Sequence, residues 1–471
     1  MIRVFFSLYF IVVNTLIFAQ GTQRPFFKVK TDSIKYAHIQ AYIQELRANW
    51  TERKLGDNVD TQRIADSLYN AEREVLKKAE WRWVYKPRKG FVSFSDLKSG
   101  KANPDSIIQL SISDLRSANV PAEVLLCKNL EELELVQTQI DELQAELNSL
   151  TKLSSIYLYN NVPSKRLILG ENNHVNYLRI AGHHPDKLPK SYKNFSSLDS
   201  LNINRSMTTR IPDIRKNKEL IILNAVSNNI TLKGYKRSHS LEHLDLRGNK
   251  VTRIPSSIGR KYKSLKALSF NTNPVKKVKP GLGKLKDLEY LSFYGNGITE
   301  IPAPVYQLSN LQVIDLFDNK IEFVSPEIKN LQQLRVLYLA NNRLYRLPDE
   351  IGLLKNLEEV YVYNNRMDTL PASMDKLDKL RVLWVNDNFF HTIPATTWRV
   401  GKMDYLDASQ NFIKKVPDEI AAAPLSILIL SGTLMNKERE NPELFEKLRK
   451  QGTRIIYYRA DSDVSEQEGE F

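Results

Sequence analysis

Between Tyr290 and Tyr405, aromatic and acidic side chains recur at a fixed interval. Ser292, Asp315, Tyr338, Tyr361, Trp384 and Asp407 follow one another every 23 residues, and so do Tyr294, Phe317, Ala340, Tyr363, Asn386 and Ser409. Rings edged by carboxylates and amides do non-covalent recognition: a large contact area, a few directed hydrogen bonds, and no bond-breaking step. Residues suited to other chemistry do not gather in this way. His183 and His184, with His174 near them, fall in a turn, and His239 and His243 straddle a turn and a strand, so neither set shares the helix face that metal ligation at that spacing favours. No glycine loop for phosphate, no nucleophile elbow and no carboxylate pair in a catalytic setting occurs, so the reading is a protein with no catalytic residues, no metal and no cofactor.

The interval points to the element that must carry these residues. Leu334–Asn356, LRVLYLANNRLYRLPDEIGLLKN, has apolar side chains at Leu334, Leu337, Leu339, Leu344, Leu347, Ile351 and Leu354. The same spacing returns from Leu288, Leu311 and Leu357. A period of about 23 residues means a solenoid. The opening L-x-x-L-x-L alternates with period two and reads as a short strand with one buried face, so Leu337 and Leu339 point in and Tyr338 points out. Stacked turn on turn, the outward positions become two columns on one sheet face. Tyr290 and Tyr405 lie to one side of them, and Asp318, Asn341, Asn364, Asp387 and Gln410 come just past the strands.

The expected ligand-binding residues are Tyr290, Tyr294, Asp315, Phe317, Tyr338, Tyr361, Tyr363, Trp384, Asp387 and Tyr405. Eight aromatic side chains at ~150–250 Å² each, half exposed, would form a patch of roughly 600–1000 Å², above the ~300–600 Å² usual for the largest patch on a monomer. Six strands at ~4.8 Å span about 24 Å, a length that suits a peptide, a glycan chain or a protein better than a small metabolite.

The pattern resembles the leucine-rich repeat, in the subtype whose second half reads Leu-Pro-x-x-Ile-x-x-Leu. The resemblance covers about 107–435 and implies an α/β fold: a curved horseshoe with a parallel β-sheet on its concave face. It also implies an asparagine ladder whose side chains bond backbone groups in the turns, with rungs at Asn249, Asn273, Asn296, Asn319, Asn342, Asn365, Asn388 and Asn411. Asn228 fits the same slot, and Thr138, His183 and Ser206 replace asparagine in earlier repeats. About fourteen repeats are expected. Because one repeat cannot bury its own apolar face, capping segments are expected as well.

The first twenty residues, MIRVFFSLYFIVVNTLIFAQ, put Arg3 before an apolar run that is short for a membrane span. They read as a signal peptide over 1–19, cut near Ala19-Gln20, with an uncleaved anchor as the alternative. Residues 20–106 read as a leader and a helical N-terminal cap, with helices from Ser33 to about Trp50 and from Asp60 to Trp81 and a strand-like FVSF at Phe91–Phe94. After the array at 107–435 come a C-terminal cap at 436–460, with a helix from Pro442 and a closing strand TRIIYY, and an acidic tail at 461–471. Cys127 is the single cysteine, so no internal disulfide forms; it takes the place of Leu150, Leu308, Leu331 and Leu354 and is expected to be buried. Eukaryotic extracellular leucine-rich repeat proteins usually carry cysteine-paired caps, so their absence beside an export signal resembles a bacterial exported protein, found in the periplasm, at the cell surface or secreted.

The net charge is +14, and between 151 and 290 there are 27 Lys and Arg against nine Asp and Glu. This zone is either a solvated outer face or a surface attracted to anions such as lipid headgroups or acidic glycans. The overall expectation is a non-enzymatic solenoid that binds a protein or peptide through its aromatic concave face, with no specific nucleic acid partner and no stable membrane span after signal cleavage. The alternatives are a cell-surface adhesin or glycan binder, a signalling scaffold like the Ras-pathway proteins that carry similar arrays, and an enzyme hidden in residues 21–106.

Overall fold

The computed structural model describes residues 90–182, 188–190, 192–394, 403–422, 425–433 and 441–456. The chain divides into two compact units at Gly90 and Phe91. The expected signal peptide, leader and first two helices lie outside the described residues, as do His183, His184 and the acidic tail.

From Phe91 on, the chain is a stack of parallel turns. Among the described residues, seventeen short strands form one parallel sheet, from Val92–Ser93 to Arg454–Ile456. Each strand between these two pairs with those of the turns before and after it, and the register does not slip. Asp315 lies opposite Tyr338, Tyr338 opposite Tyr361, Tyr361 opposite Trp384, and Trp384 opposite Asp407. A one-residue slip would turn every buried leucine outward, so the L-x-x-L-x-L pattern sets this register.

The second half of each turn returns through a short 3-10 helix, as at Ala303–Gln307, Pro326–Asn330, Asp349–Leu353 and Ala372–Lys376. Proline precedes or opens these helices because its fixed φ suits an entry and its missing N–H costs nothing there. Adjacent returns approach closely: a Cβ added at Gly352 would sit 2.1 Å from the Ser373 carbonyl oxygen. The core is one continuous column of Leu, Ile, Val and Phe between the sheet and the returns, and Leu337, Leu339, Ile351 and Leu354 are fully buried in it. Cys127 is buried there too, and burial raises its thiol pKa.

The ends differ in detail from the expected pattern. The sheet begins at Val92–Ser93, paired with Leu110–Ser111, ahead of residue 107. Phe94 is helical, not extended: it opens the helix Phe94–Lys98, whose N-terminus Ser93 caps by accepting a hydrogen bond from the Asp96 N–H. At the other end the helix Pro442–Lys450 is followed by Arg454–Ile456, which pairs with Leu425–Ile429. Among the described residues no helix is long and apolar enough to cross a membrane.

Candidate functional site

Two sets of residues prepare the sheet face. The first is the asparagine set. Asn342 Nδ2 donates to the carbonyls of Leu316 in the preceding turn (2.9 Å) and Leu339 in its own (3.0 Å), while its Oδ1 accepts from the Ile321 N–H (3.0 Å). Asn365 repeats this with Leu339, Val362 and Leu344, and Asn249, Asn273, Asn319, Asn388 and Asn411 do the same in their turns. Asn296 donates to Phe270 and Phe293, but its Oδ1 has no partner. These bonds satisfy backbone groups that a tight buried turn would otherwise leave unpaired.

The second set lies one residue earlier. Asp318, Asn341, Asn364, Asp387 and Gln410 all have φ between 50° and 57°. This left-handed conformation ends each strand, and short polar side chains tolerate it better than most. Asp387 therefore has a backbone reason for its place, beyond any ligand.

Past these supports stands the aromatic band. Tyr338 and Tyr361 are stacked at 4.7 Å between ring centroids, and Tyr361 meets Trp384 edge-on at 5.2 Å. Trp384 also touches Tyr363 (5.7 Å) and Tyr405 (5.7 Å). Tyr363 touches Phe317 (6.0 Å), which touches Tyr294 (5.3 Å). Seven of the eight expected rings thus form one contiguous layer; Tyr290, half-buried beside Ser292, is in no ring contact with the others among the described residues.

The exposure differs from the expectation at four positions. Tyr361 is only 2% exposed, because Tyr338 and Trp384 close over it and its hydroxyl donates to Glu359 (2.8 Å). Ser292, Ala340 and Ser409 are buried as well, being small side chains overshadowed by larger neighbours one turn away. The band is a packed layer with shared burial, not a row of independent rings.

Carboxylates lie within this layer. Asp315 accepts from the Ser292 hydroxyl (2.7 Å) and the Phe317 N–H (3.1 Å), Asp407 from the Ser409 hydroxyl (2.6 Å) and N–H (3.0 Å), and Asp318 from the Asn341 side chain. Burial raises the pKa of all three and of Glu359, which their hydrogen bonds only partly offset. Burial also raises the Tyr338 and Tyr290 phenols. Trp384 Nε1 and Asn386 Oδ1 have no hydrogen-bond partner, a donor and an acceptor two residues apart on the same face.

Three features were not read from the sequence. Asn161 is a buried rung, accepting from the Ile140 N–H (2.7 Å) and donating to the Ile140 carbonyl (3.0 Å); the pair Asn160-Asn161, like Asn341-Asn342, was the available signal. A smaller aromatic group lies near the start of the same sheet. Tyr157 contacts Tyr159 and Tyr177, and Arg179 lies 5.2 Å from the Tyr159 ring centre. On the flank past the turns, an open groove of about 710 Å³ is lined by Lys320, Arg343, Arg366, Phe389 and Phe412 among others, and both phenylalanines are exposed. In the basic zone, Arg253 and Lys277 are strand partners, and the charges of Lys277 and Arg253 lower the pKa of Lys279. No group of three or more His, Cys, Asp or Glu among the described residues could hold a metal ion.

Comparison with known proteins places these observations in a family context. Leucine-rich repeat family models match residues 286–344 and 332–390, and another matches 240–260. A leucine-rich repeat protein of Leptospira interrogans is 24% identical over 79% of this chain and 100% of its own, with a TM-score of 0.58, a likeness of fold. An internalin from Listeria monocytogenes is 17% identical over 84% of this chain and 95% of its own (TM-score 0.40). The leucine-rich repeat ectodomain of a plant membrane receptor kinase from Arabidopsis thaliana, in complex with Casparian strip integrity factor 2, is 22% identical over 70% of this chain and 44% of its own (TM-score 0.43). No curated protein matches the chain.

Proposed function

We propose that this leucine-rich repeat protein is an exported, non-enzymatic binding module whose sheet face from Tyr290 to Gln410 holds a protein or peptide partner. Leucine-rich repeat domains are in general protein-interaction modules. The observation that carries the reading is the single contiguous layer of seven rings on one sheet face. Buried aromatic anchors with hydrogen-bonding tips dominate binding energies, and rings already packed against one another lose little conformational freedom on binding. Tyr338 and Tyr361 stack on each other's faces, so the band offers ring edges and hydroxyls more than free ring faces for a sugar. Export rests on the apolar run before Gln20.

The test is affinity. A partner captured with the full chain is titrated against wild type and against Tyr338→Ala with Trp384→Ala. Loss of about 30-fold or more is expected for hot-spot anchors. An unchanged affinity, with the fold intact by circular dichroism, removes the sheet face as the binding surface.

A further inference from the structure

We infer that the sheet face between Tyr290 and Gln410 selects a cationic segment of its partner, a peptide bearing lysine or arginine. The inference rests on the reading of this face as the binding surface and adds the chemistry of what it binds.

Charge on the chain is segregated. The whole molecule carries +14, yet residues 291–410 hold fifteen acidic and twelve basic side chains. The outward positions of the six strands and the residues just past them carry Asp315, Asp318, Glu359, Asp387 and Asp407, and no lysine or arginine. The described bases of this stretch lie at other positions. Lys320, Arg343 and Arg366 line the flank groove, which of the five acids only Asp387 also lines. Arg335 and Arg381 stand at the strand entries, each neutralised by an acid of the next turn: Arg335 Nε lies 2.9 Å from Glu358 and Arg381 Nε 2.7 Å from Asp404.

The carboxylates of the face are held by neutral donors instead. Serine hydroxyls and backbone N–H groups bond Asp315 and Asp407, an amide bonds Asp318, and a phenol bonds Glu359. Burial raises the pKa of each of these four; Arg335 and Arg381 offset this in part at Glu359, whereas no cation does so at Asp315, Asp318 or Asp407. An ammonium or guanidinium group laid on the face supplies the missing charge. The contiguous ring layer beside these carboxylates gives the contact area of a peptide rather than of an isolated cation.

A peptide array tests this. Twelve-residue peptides of varied sequence are immobilised twice, once with free lysines and once with acetylated lysines, and probed with the labelled full chain. Lysine-bearing peptides are expected to be retained, and acetylation is expected to lower retention at least tenfold. Asp315→Asn combined with Asp407→Asn should abolish that difference, while Tyr338→Ala with Trp384→Ala should abolish retention altogether. Retention that survives acetylation, preference for acidic peptides, or no retention of lysine peptides at micromolar chain overturns the charge inference. If acetylation makes no difference but the aromatic variant still loses every peptide, the binding face stands and only its charge preference falls. If wild type and aromatic variant retain the same peptides equally, both fall.

Discussion

Asp315 is held by a hydroxyl and an N–H, and its carboxylate is poorly solvated. A carboxyl whose folded pKa is raised adds stability that is fully present below its unfolded pKa and lost as pH rises through the folded pKa. Above that range Asp315, Asp318, Glu359 and Asp407 all work against the folded chain. Asp315→Asn is therefore expected to stabilise the unliganded protein near pH 7 by about 1 kcal/mol, with the gain shrinking toward about pH 3, where the acid is protonated in both states. Thermal melts at the two pH values check this; a loss of stability at neutral pH would contradict it. The same substitution weakens lysine-peptide binding, so stability and recognition pull this residue in opposite directions. The outward direction of Tyr338, Tyr363 and Trp384 was legible from period-two alternation alone. The burial of Tyr361 was not, because it depends on how rings from the turns on either side tilt over it.

The turn is the element that makes the face regular, and its asparagine is the most exacting position. Asn342→Ala would leave the Leu316 and Leu339 carbonyls and the Ile321 N–H without their partner in a buried place. At about 1–3 kcal/mol for each unmet group, with partial relaxation, a loss of about 3 kcal/mol or more is expected in urea unfolding. A loss under about 0.5 kcal/mol, the level of an ordinary surface change, would mean that the ladder bonds contribute little. The strand, the buried return residues and the rung positions from Asn228 onward could be read from the spacing, because each answers to a side-chain type that recurs; that the return is a 3-10 helix could not. Asn161 escaped because its repeat departs from the pattern after the rung, although Leu153, Ile156 and Leu158 before it are regular: Pro163 stands where Leu344 stands in the regular turn. The helix at Phe94 escaped for a different reason. Its cap, Ser93 with Asp96, outweighs the strand propensity of the FVSF run. The flank phenylalanines Phe389 and Phe412 occupy the slot that Arg343 and Arg366 fill in earlier turns, a change of type that no periodicity anticipates.

At the scale of the whole array, the leucine pattern sets the coil, and charge decides what the coil can meet. Each turn touches chiefly its neighbours, so stability is close to a sum of turn and interface contributions. The interfaces are not equal. At Ser206 the rung is a hydroxyl that donates to the Ile180 carbonyl, with no amide to bond a second carbonyl as Asn228 does with Ile203 and Ala225. From Asn228 to Asn411 the rungs are all asparagine. The consequence is mechanical. If the array is tethered at Phe91 and Ile456 and drawn out along the stack, the sheet bonds and asparagine clasps of one turn part before the next is strained. Each rupture frees one turn of 23 residues, about 80 Å of extended chain, so an optical trap should record a staircase of nearly equal steps. The turn at Ser206 should yield at lower force than those clasped from Asn319 to Asn411, and the aromatic layer should be the last part of the coil to surrender its shape.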